Sequence, residues 1–162
     1  MFTGIVQAVG TIQAIRPQTG GQRLVIDRHG WVPRDVTLEH GDSICVSGVC
    51  LTLTAFDQQT LSFDVITESL ARSTLGEKTV GSRVNLEPSL TPSTPIGGHL
   101  VQGHVDGLGA IERVQRGDDW RITIAADSDV IDMTAPKGSI CIDGVSLTVA
   151  AVAEKHFEVA II

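Results

Sequence analysis

The sequence predicts an all-β protein made of two tandem, homologous halves, each a small closed antiparallel barrel. Three observations carry this expectation. Seventeen glycines and many Val, Ile and Thr residues stand in a chain of 162, a composition that suits short strands joined by frequent turns. The apolar runs are brief, and only one stretch reads as a helix. The third observation is an internal repeat, which decides architecture before any single element does.

The segment GDSICVSGVCLTLTAF (41–56) returns without gaps as KGSICIDGVSLTVAAV (137–152), 96 positions on. Ser43, Ile44 and Cys45 recur as Ser139, Ile140 and Cys141, and Gly48, Val49, Leu51 and Thr52 as Gly144, Val145, Leu147 and Thr148. Upstream, GIVQAVGTI (4–12) resembles GHVDGLGAI (103–111) at an offset of 99. Downstream, Phe63-Asp64-Val65 resembles Phe157-Glu158-Val159 at an offset of 94. Differing loop lengths account for the drift. The halves meet at TPSTPIGG (91–98), whose Pro, Thr, Ser and Gly read as a linker. This sets two domains, 1–98 and 99–162.

In the first half the strands are expected in FTGIVQAVGTIQAI (2–15), QRLVID (22–27), SICVSG (43–48), CLTLTAF (50–56), LSFDVIT (61–67) and RVNLE (83–87). Each is short, β-branched and bounded by turn residues. Ser47-Gly48 and Asp143-Gly144 suit tight turns, where positive φ is needed. ESLARSTLGE (68–77) is the helix candidate, ended by Gly76. Six strands without long helices favour closure, which removes exposed edges. Glu87 lies 24 positions beyond Phe63, but the matching point in the second half falls beyond Ile162. The second barrel is therefore expected to be truncated at its C-terminal end, its last strand missing.

Composition excludes several function classes. The net charge of −7 argues against nucleic acid, whose binders carry basic patches, and otherwise serves solubility. Four Phe, two Trp and no Tyr leave no material for a thick aromatic cage. Three cysteines, Cys45, Cys50 and Cys141, without a CxxC pair, suit a reducing cytoplasm better than a disulfide framework. MFTGIVQAVG lacks the basic start and long apolar run of a signal peptide. No stretch approaches the roughly 18 apolar residues of a membrane span. A cytoplasmic location with no membrane partner is expected.

Four segments then carry a resemblance: Met1-Phe2-Thr3-Gly4-Ile5-Val6, Gly48-Val49-Cys50-Leu51-Thr52, GGHLVQGH (97–104) and Asp143-Gly144-Val145-Ser146-Leu147-Thr148. Together, in order and over the whole chain, they resemble the riboflavin synthase family, the lumazine-binding duplicated barrels of its alpha chain. The resemblance implies two six-stranded Greek-key barrels followed by a trimerisation helix that would lie beyond Ile162. It implies the dismutation of two 6,7-dimethyl-8-ribityllumazine molecules to riboflavin and 5-amino-6-(ribitylamino)uracil. It further implies a homotrimer at full length, with facing barrels from neighbouring subunits, and lumazine synthase as a partner. Neither a metal nor a cofactor is required by this chemistry.

The reaction asks for a proton to leave the C7 methyl of one lumazine and a nucleophile to add at C7 of the other. Above all it asks for two planar molecules held face to face, and fixing such a pair can supply about 7–11 kcal/mol of the barrier. The resemblance implies equivalent pocket segments in the two halves. They are Gly4, Ile5, Val6, Cys50, Leu51, Thr52 and Asp64, Val65, Ile66, Thr67, Glu68, Ser69 in the first. In the second they are Gly103, His104, Val105, Lys137, Ser146, Leu147, Thr148 and Ala160, Ile161, Ile162. Thr52 and Thr148 can bond a pteridine edge; strand-face packing is the competing reading. His104 is the favoured acid/base, because histidine titrates near neutrality and the first half has no histidine at the matching place. A structural histidine at the barrel mouth is the alternative, and His99 reads more readily as structural. The two together lack a third ligand at metal spacing.

Cys50 and Ser146 hold equivalent places, where a thiol or hydroxyl could add to C7 or orient water; Cys50 also reads as a small buried hydrophobe. Ser43 matches a family position associated with catalysis and has Ser139 as its repeat partner, though serines before strands are commonly turn formers. Lys137 could bond a ribityl hydroxyl or ring oxygen, or be an ordinary surface lysine. Cys45 and Cys141 alternate with these residues and are expected to face the core. The nearest rival is a non-catalytic lumazine- or flavin-binding antenna protein of the same fold, from which GGHLVQGH and an intact Cys50-Leu51-Thr52 set the enzyme apart. A Greek-key interaction module would need a basic or aromatic stripe, and a FAD-binding reductase barrel a dinucleotide domain with GxGxxG, which is absent.

Overall fold

The structure, a computed structural model, describes residues 1–34, 36–117 and 120–161. The first half holds β1 (Ala8–Gln18), β2 (Gly21–Asp27), β3 (Ser43–Val46), β4 (Val49–Phe56), β5 (Thr60–Ile66) and β6 (Arg83–Pro88). They close into a barrel in the order β1-β2-β5-β4-β3-β6, with β6 pairing back onto β1. Alternation along the strands sends Ile12, Leu24, Ile26, Ile44, Leu53, Leu61, Phe63 and Leu86 inward, where each is fully buried. Complete burial of one such side chain stabilises the barrel by about 1.5–3 kcal/mol.

The second half holds β7 (Gly109–Gln115), β8 (Trp120–Ala126), β9 (Ser139–Ile142), β10 (Val145–Val152) and β11 (His156–Ile161). They form an open sheet in the order β7-β8-β11-β10-β9. Its edges are β7, exposed along its whole length, and β9. Its core is smaller, built on Ile124, Ile131, Val149, Phe157 and Val159.

The repeat is visible in backbone detail. β1 bulges between Ile12 and Ala14, and β7 between Ile111 and Arg113. β4 bulges between Leu53 and Ala55, and β10 between Val149 and Ala151. Pairing corrects one part of the expected alignment. Phe56 faces Leu61 and Leu53 faces Phe63, just as Val152 faces Phe157 and Val149 faces Val159. The structural partner of Phe157 is thus Leu61, not Phe63. A two-residue slip keeps every side chain on its own face, so the FDV/FEV likeness concealed it.

Two other expectations change. The first strand begins at Ala8 rather than Phe2. Gln7 still bonds β6 through the Leu86 carbonyl, but Gly4, at φ +74, turns the residues before it into a strap that crosses to the second half, where Phe2 bridges Val101. The helix expected over 68–77 splits into α1 (Thr67–Ala71) and a 3₁₀ turn (Thr74–Glu77). Ser73 caps the turn by accepting the Leu75 N–H, and a capping hydroxyl competes with a continuous helix. The second half carries its own short helix, α2 (Ser128–Asp132).

Candidate functional site

The two halves meet through backbone bonds that repeat about a local twofold. The Cys50 N–H donates to the Gly103 carbonyl at 2.8 Å, and the Ser146 N–H to the Gly4 carbonyl at 2.7 Å. Cys50 and Ser146 are repeat partners, as are Gly4 and Gly103. Both glycines have positive φ, +74 and +80. A Cβ at Gly4 would stand 2.6 Å from the Ser146 Cβ, and one at Gly103 would stand 2.8 Å from the Cys50 Cβ. No side chain fits at either place, which is why glycine opens both repeats.

The chemistry on the two sides differs. On the second-half side, His99 Nδ1 lies 2.7 Å from Ser146 Oγ. The His99 backbone N–H donates to the Thr3 carbonyl at 3.1 Å. Gly98 permits this approach, since a Cβ there would lie 2.2 Å from the Thr3 oxygen and 2.9 Å from Ser146 Oγ. Partial burial lowers the His99 pKa below its ordinary value of 6.5. Burial thus favours the neutral imidazole, and its Nδ1 shares one hydrogen bond with the Ser146 hydroxyl, the ring tautomer deciding which of the two donates. On the first-half side, Cys50 is half-buried against the cluster of Phe2, Cys45 and Val101, and among the described residues no histidine ring hydrogen-bonds it.

Cys45 and Cys141, expected to face the core, face neither core: their neighbours Ile44, Val46, Ile140 and Ile142 take the inward places, and strand alternation turns the two thiols to the junction with Phe2 and Val101. Burial pushes the Cys45 thiol up to about 12, with Cys141 adding to the effect, and burial pushes Cys141 up to about 11. Both remain thiols near neutrality, and the thiolate is the nucleophile.

The strap that carries Thr3 and Gly4 is held by Glu87 on β6. This carboxyl group is only 3% exposed. Its Oε1 accepts the Thr3 N–H and the Thr3 hydroxyl, both at 2.6 Å, and its Oε2 accepts the Gly4 N–H at 3.0 Å.

The other sequence-expected residues fall into place around this junction. Thr52 is exposed on β4 and pairs with Ser43 of β3. The β4–β5 ladder ends at Leu53 and Phe63, so Thr52 has no ladder partner on β5. Its N–H and C=O point the same way as those of Cys50, away from β3, by strand alternation. Thr148 is likewise exposed, paired with Ser139 and Ala160. Leu51 and Val65 point into the first core, leaving only their backbone for a ligand. Val6, Leu147 and Ala160 are half-buried, while Ile5, Ile66, Thr67, Glu68 and Ile161 are exposed. Glu68 pairs with Arg72, and Ser69 gives its carbonyl to the Ser73 hydroxyl. Asp64 is held bidentately by Arg23 at 2.7 Å on both bonds, and the guanidinium holds its carboxyl below the usual carboxylate range. Ile162 lies outside the described residues.

His104 is exposed and makes no side-chain hydrogen bond among the described residues. With Gly103 and Val105 it lines a cavity of about 520 Å³ on the concave side of the second sheet. Ile124, Val149 and Phe157 line the same space, and so do His99 and, from the first half, Ser47, Gly48, Ser73 and Thr74, so it runs from the interior of the open sheet to the junction. Ser146 and Thr148 lie outside it. Lys137 sits at φ +65, where its repeat partner Gly41 has φ +93. A lysine in that region carries local strain of the kind that gathers at functional sites.

Sequence reasoning ranked His99 behind His104 and passed over Glu87 and Thr3. His99 had a usable signal. It follows two glycines, and an offset of 99 gives it no counterpart in the first half. Glu87 had none, because its partners lie more than 80 positions away.

Comparison with known proteins agrees with this geometry. A family model described as the lumazine binding domain matches residues 3–89 and again 102–162. Riboflavin synthase of Actinobacillus pleuropneumoniae is 41% identical over the whole chain, which spans 74% of that relative. The riboflavin synthases of Bacillus subtilis and Mycobacterium tuberculosis are 36% and 41% identical, with 74% and 82% of their lengths spanned. Among solved structures, LumP complexed with riboflavin superposes with a TM-score of 0.85 at 25% identity, covering 99% of this chain and 86% of that one. LumP complexed with 6,7-dimethyl-8-(1'-D-ribityl) lumazine gives 0.82 at 25% identity, with 99% and 85% covered. Two matched repeats, a closed barrel beside an open homologous sheet, and relatives of this identity over the full chain place the protein in the riboflavin synthase family of duplicated lumazine-binding barrels.

Proposed function

We propose that the chain acts as a riboflavin synthase, converting two 6,7-dimethyl-8-ribityllumazine molecules to riboflavin and 5-amino-6-(ribitylamino)uracil. The carrying observation is the pairing of His99 with Ser146 at 2.7 Å beside a duplicated binding scaffold. A four-carbon unit passes from one lumazine to the other, so a repeat that offers one site to each substrate suits the stoichiometry. The two units are 1–98 and 99–162. The pteridine edge of one substrate lies along the outward strand backbone at Thr52 and that of the other beside the exposed Thr148 side chain, and Lys137 meets a ribityl hydroxyl or ring oxygen. The subunits assemble as a trimer that brings barrels of neighbours face to face, in the cytoplasm, with lumazine synthase supplying substrate.

His99 takes a proton and Ser146 relays it, or serves as the hydroxyl that adds at C7. Cys50 is the equivalent group on the other half, and among the described residues no imidazole hydrogen-bonds it. This asymmetry supports one donor and one acceptor site. His104, Ser43 and Ser139 complete the polar set, with His104 the second candidate base.

The test is riboflavin formation from the lumazine, followed by absorbance, with His99→Ala and His104→Ala alongside. Turnover that falls with His99→Ala supports the assignment. Tight lumazine binding without any riboflavin would instead favour an antenna-type role, the reading to which the LumP likeness in fold lends weight.

A further inference from the structure

The carboxyl group of Glu87 makes no bond to any residue of the reacting set, yet every bond it makes bears on that set. We propose that Glu87 is a positioning residue, holding the strap of residues 3–4 so that the strap in turn holds His99 against Ser146. This rests on the reading of His99 and Ser146 as the reacting pair.

The chain of contacts is continuous. Glu87 sits on β6, facing Cys45 of β3 in the ladder, so its backbone belongs to the closed barrel. Its Oε1 takes the Thr3 N–H and hydroxyl, and its Oε2 takes the Gly4 N–H. The Thr3 hydroxyl oxygen then accepts the Ile5 N–H at 3.1 Å, closing the turn. From this clamped turn two carbonyls point to the second half. That of Thr3 accepts the His99 N–H, and that of Gly4 accepts the Ser146 N–H. One carboxyl group thus fixes the backbone anchor of both members of the pair.

Burial makes the arrangement unforgiving. Thr3 is 4% exposed and Glu87 3%, so water is poorly placed to replace a lost bond. A buried polar group left without its partner is costly. All three partners of Glu87 donate. An amide in its place would set an N–H against an N–H whichever way it turned, and would release either the Gly4 or the Thr3 anchor.

The test compares Glu87→Gln with Val84→Ala, a change on the same strand that opens the first core without touching the strap. Glu87→Gln should lower kcat about tenfold to a hundredfold, the effect of a small misplacement of reacting groups, while KM changes much less. Val84→Ala should lower thermal stability and leave kcat near that of the parent. The His99 ring is followed in parallel by NMR titration without substrate. Its pKa is low because the ring is partly buried, so loosening the strap should raise it toward about 6.5 in Glu87→Gln, and Val84→Ala should not move it.

Should Glu87→Gln fail to fold, Thr3→Val and Thr3→Ser take its place. Val removes the hydroxyl that Glu87 accepts and should lower kcat and raise the His99 pKa; Ser keeps the hydroxyl and should restore both. An unchanged titration and kcat in Glu87→Gln, or equal changes in Val84→Ala, would overturn the proposal. A parent chain that titrates as described but makes no riboflavin would instead sink the proposed function and leave the positioning claim to be decided by the titration.

Discussion

His99 Nδ1 and Ser146 Oγ stand 2.7 Å apart across 47 positions of sequence. The contact exists because two separate carbonyls of one strap, those of Thr3 and Gly4, hold the two backbones. A hydroxyl beside a neutral imidazole can pass or accept a proton without creating a charge pair in advance.

Removal of the imidazole should be the sharpest single loss. His99→Ala is expected to lower kcat by about a hundredfold or more, within the range of general acid–base catalysis. Lumazine binding, read by fluorescence, should change little, because the outward backbone at Thr52 and the exposed Thr148 side chain remain.

The pH profile should carry the same signature. Burial holds the folded His99 pKa below 6.5, so the neutral, proton-accepting form persists below that pH. The acid limb of the rate profile assigned to His99 should therefore fall below pH 6.5. The sign for stability is the same. The unfolded chain takes up the proton first as pH falls, so stability from the buried neutral ring is complete above about pH 6.5 and is lost as pH drops through the lower folded value. Denaturant midpoints across this window would reveal it, and His99→Ala should flatten the change.

Gly98→Ala should separate the pair without removing either member. The new methyl would meet the Thr3 oxygen and Ser146 side chain, so His99 must shift. Turnover should fall while the first barrel, which Gly98 does not enter, keeps its melting behaviour. Gly20→Ala is the comparison. It has φ +81 but no atom within 4 Å of the added Cβ, and it should cost about 1 kcal/mol of stability from backbone strain alone with turnover intact.

Thiol labelling should rank the cysteines. Cys45, 2% exposed with its pKa pushed to about 12, should resist alkylation until the protein unfolds. Cys141, at about 11, should be slow, and half-buried Cys50 should react first. Mass spectrometry after timed alkylation at pH 8 reads the order, and early modification of Cys45 would contradict the packing of the junction.

Core strength should differ between the halves. Phe63 is fully enclosed in a closed barrel, and Phe63→Ala should cost about 3–5 kcal/mol. Phe157 is buried in a sheet whose concave side opens to a cavity of about 520 Å³, so the site can relax and Phe157→Ala should cost less. Denaturant unfolding of the two variants measures the difference.

Much of this protein was legible in the residues alone. Alternation and turn chemistry marked the strands, and an ungapped recurrence over 41–56 and 137–152 marked two copies of one unit. Those signals are local, or are comparisons of one local pattern with another. The same locality explains the errors. Period-two alternation is blind to a slip of two, so Phe63 was matched to Phe157 until strand pairing moved the partner to Leu61. The opening residues have the composition of a strand, but Gly4 turns them across to the other half. What only the tertiary structure decided is which polar groups meet. His99 reaches Ser146, not His104, because the bonds from Glu87 to Thr3 and Gly4 and onward to the second half each join residues far apart in sequence. No pattern within a half encodes them; they exist only once a closed barrel and its copy are packed together.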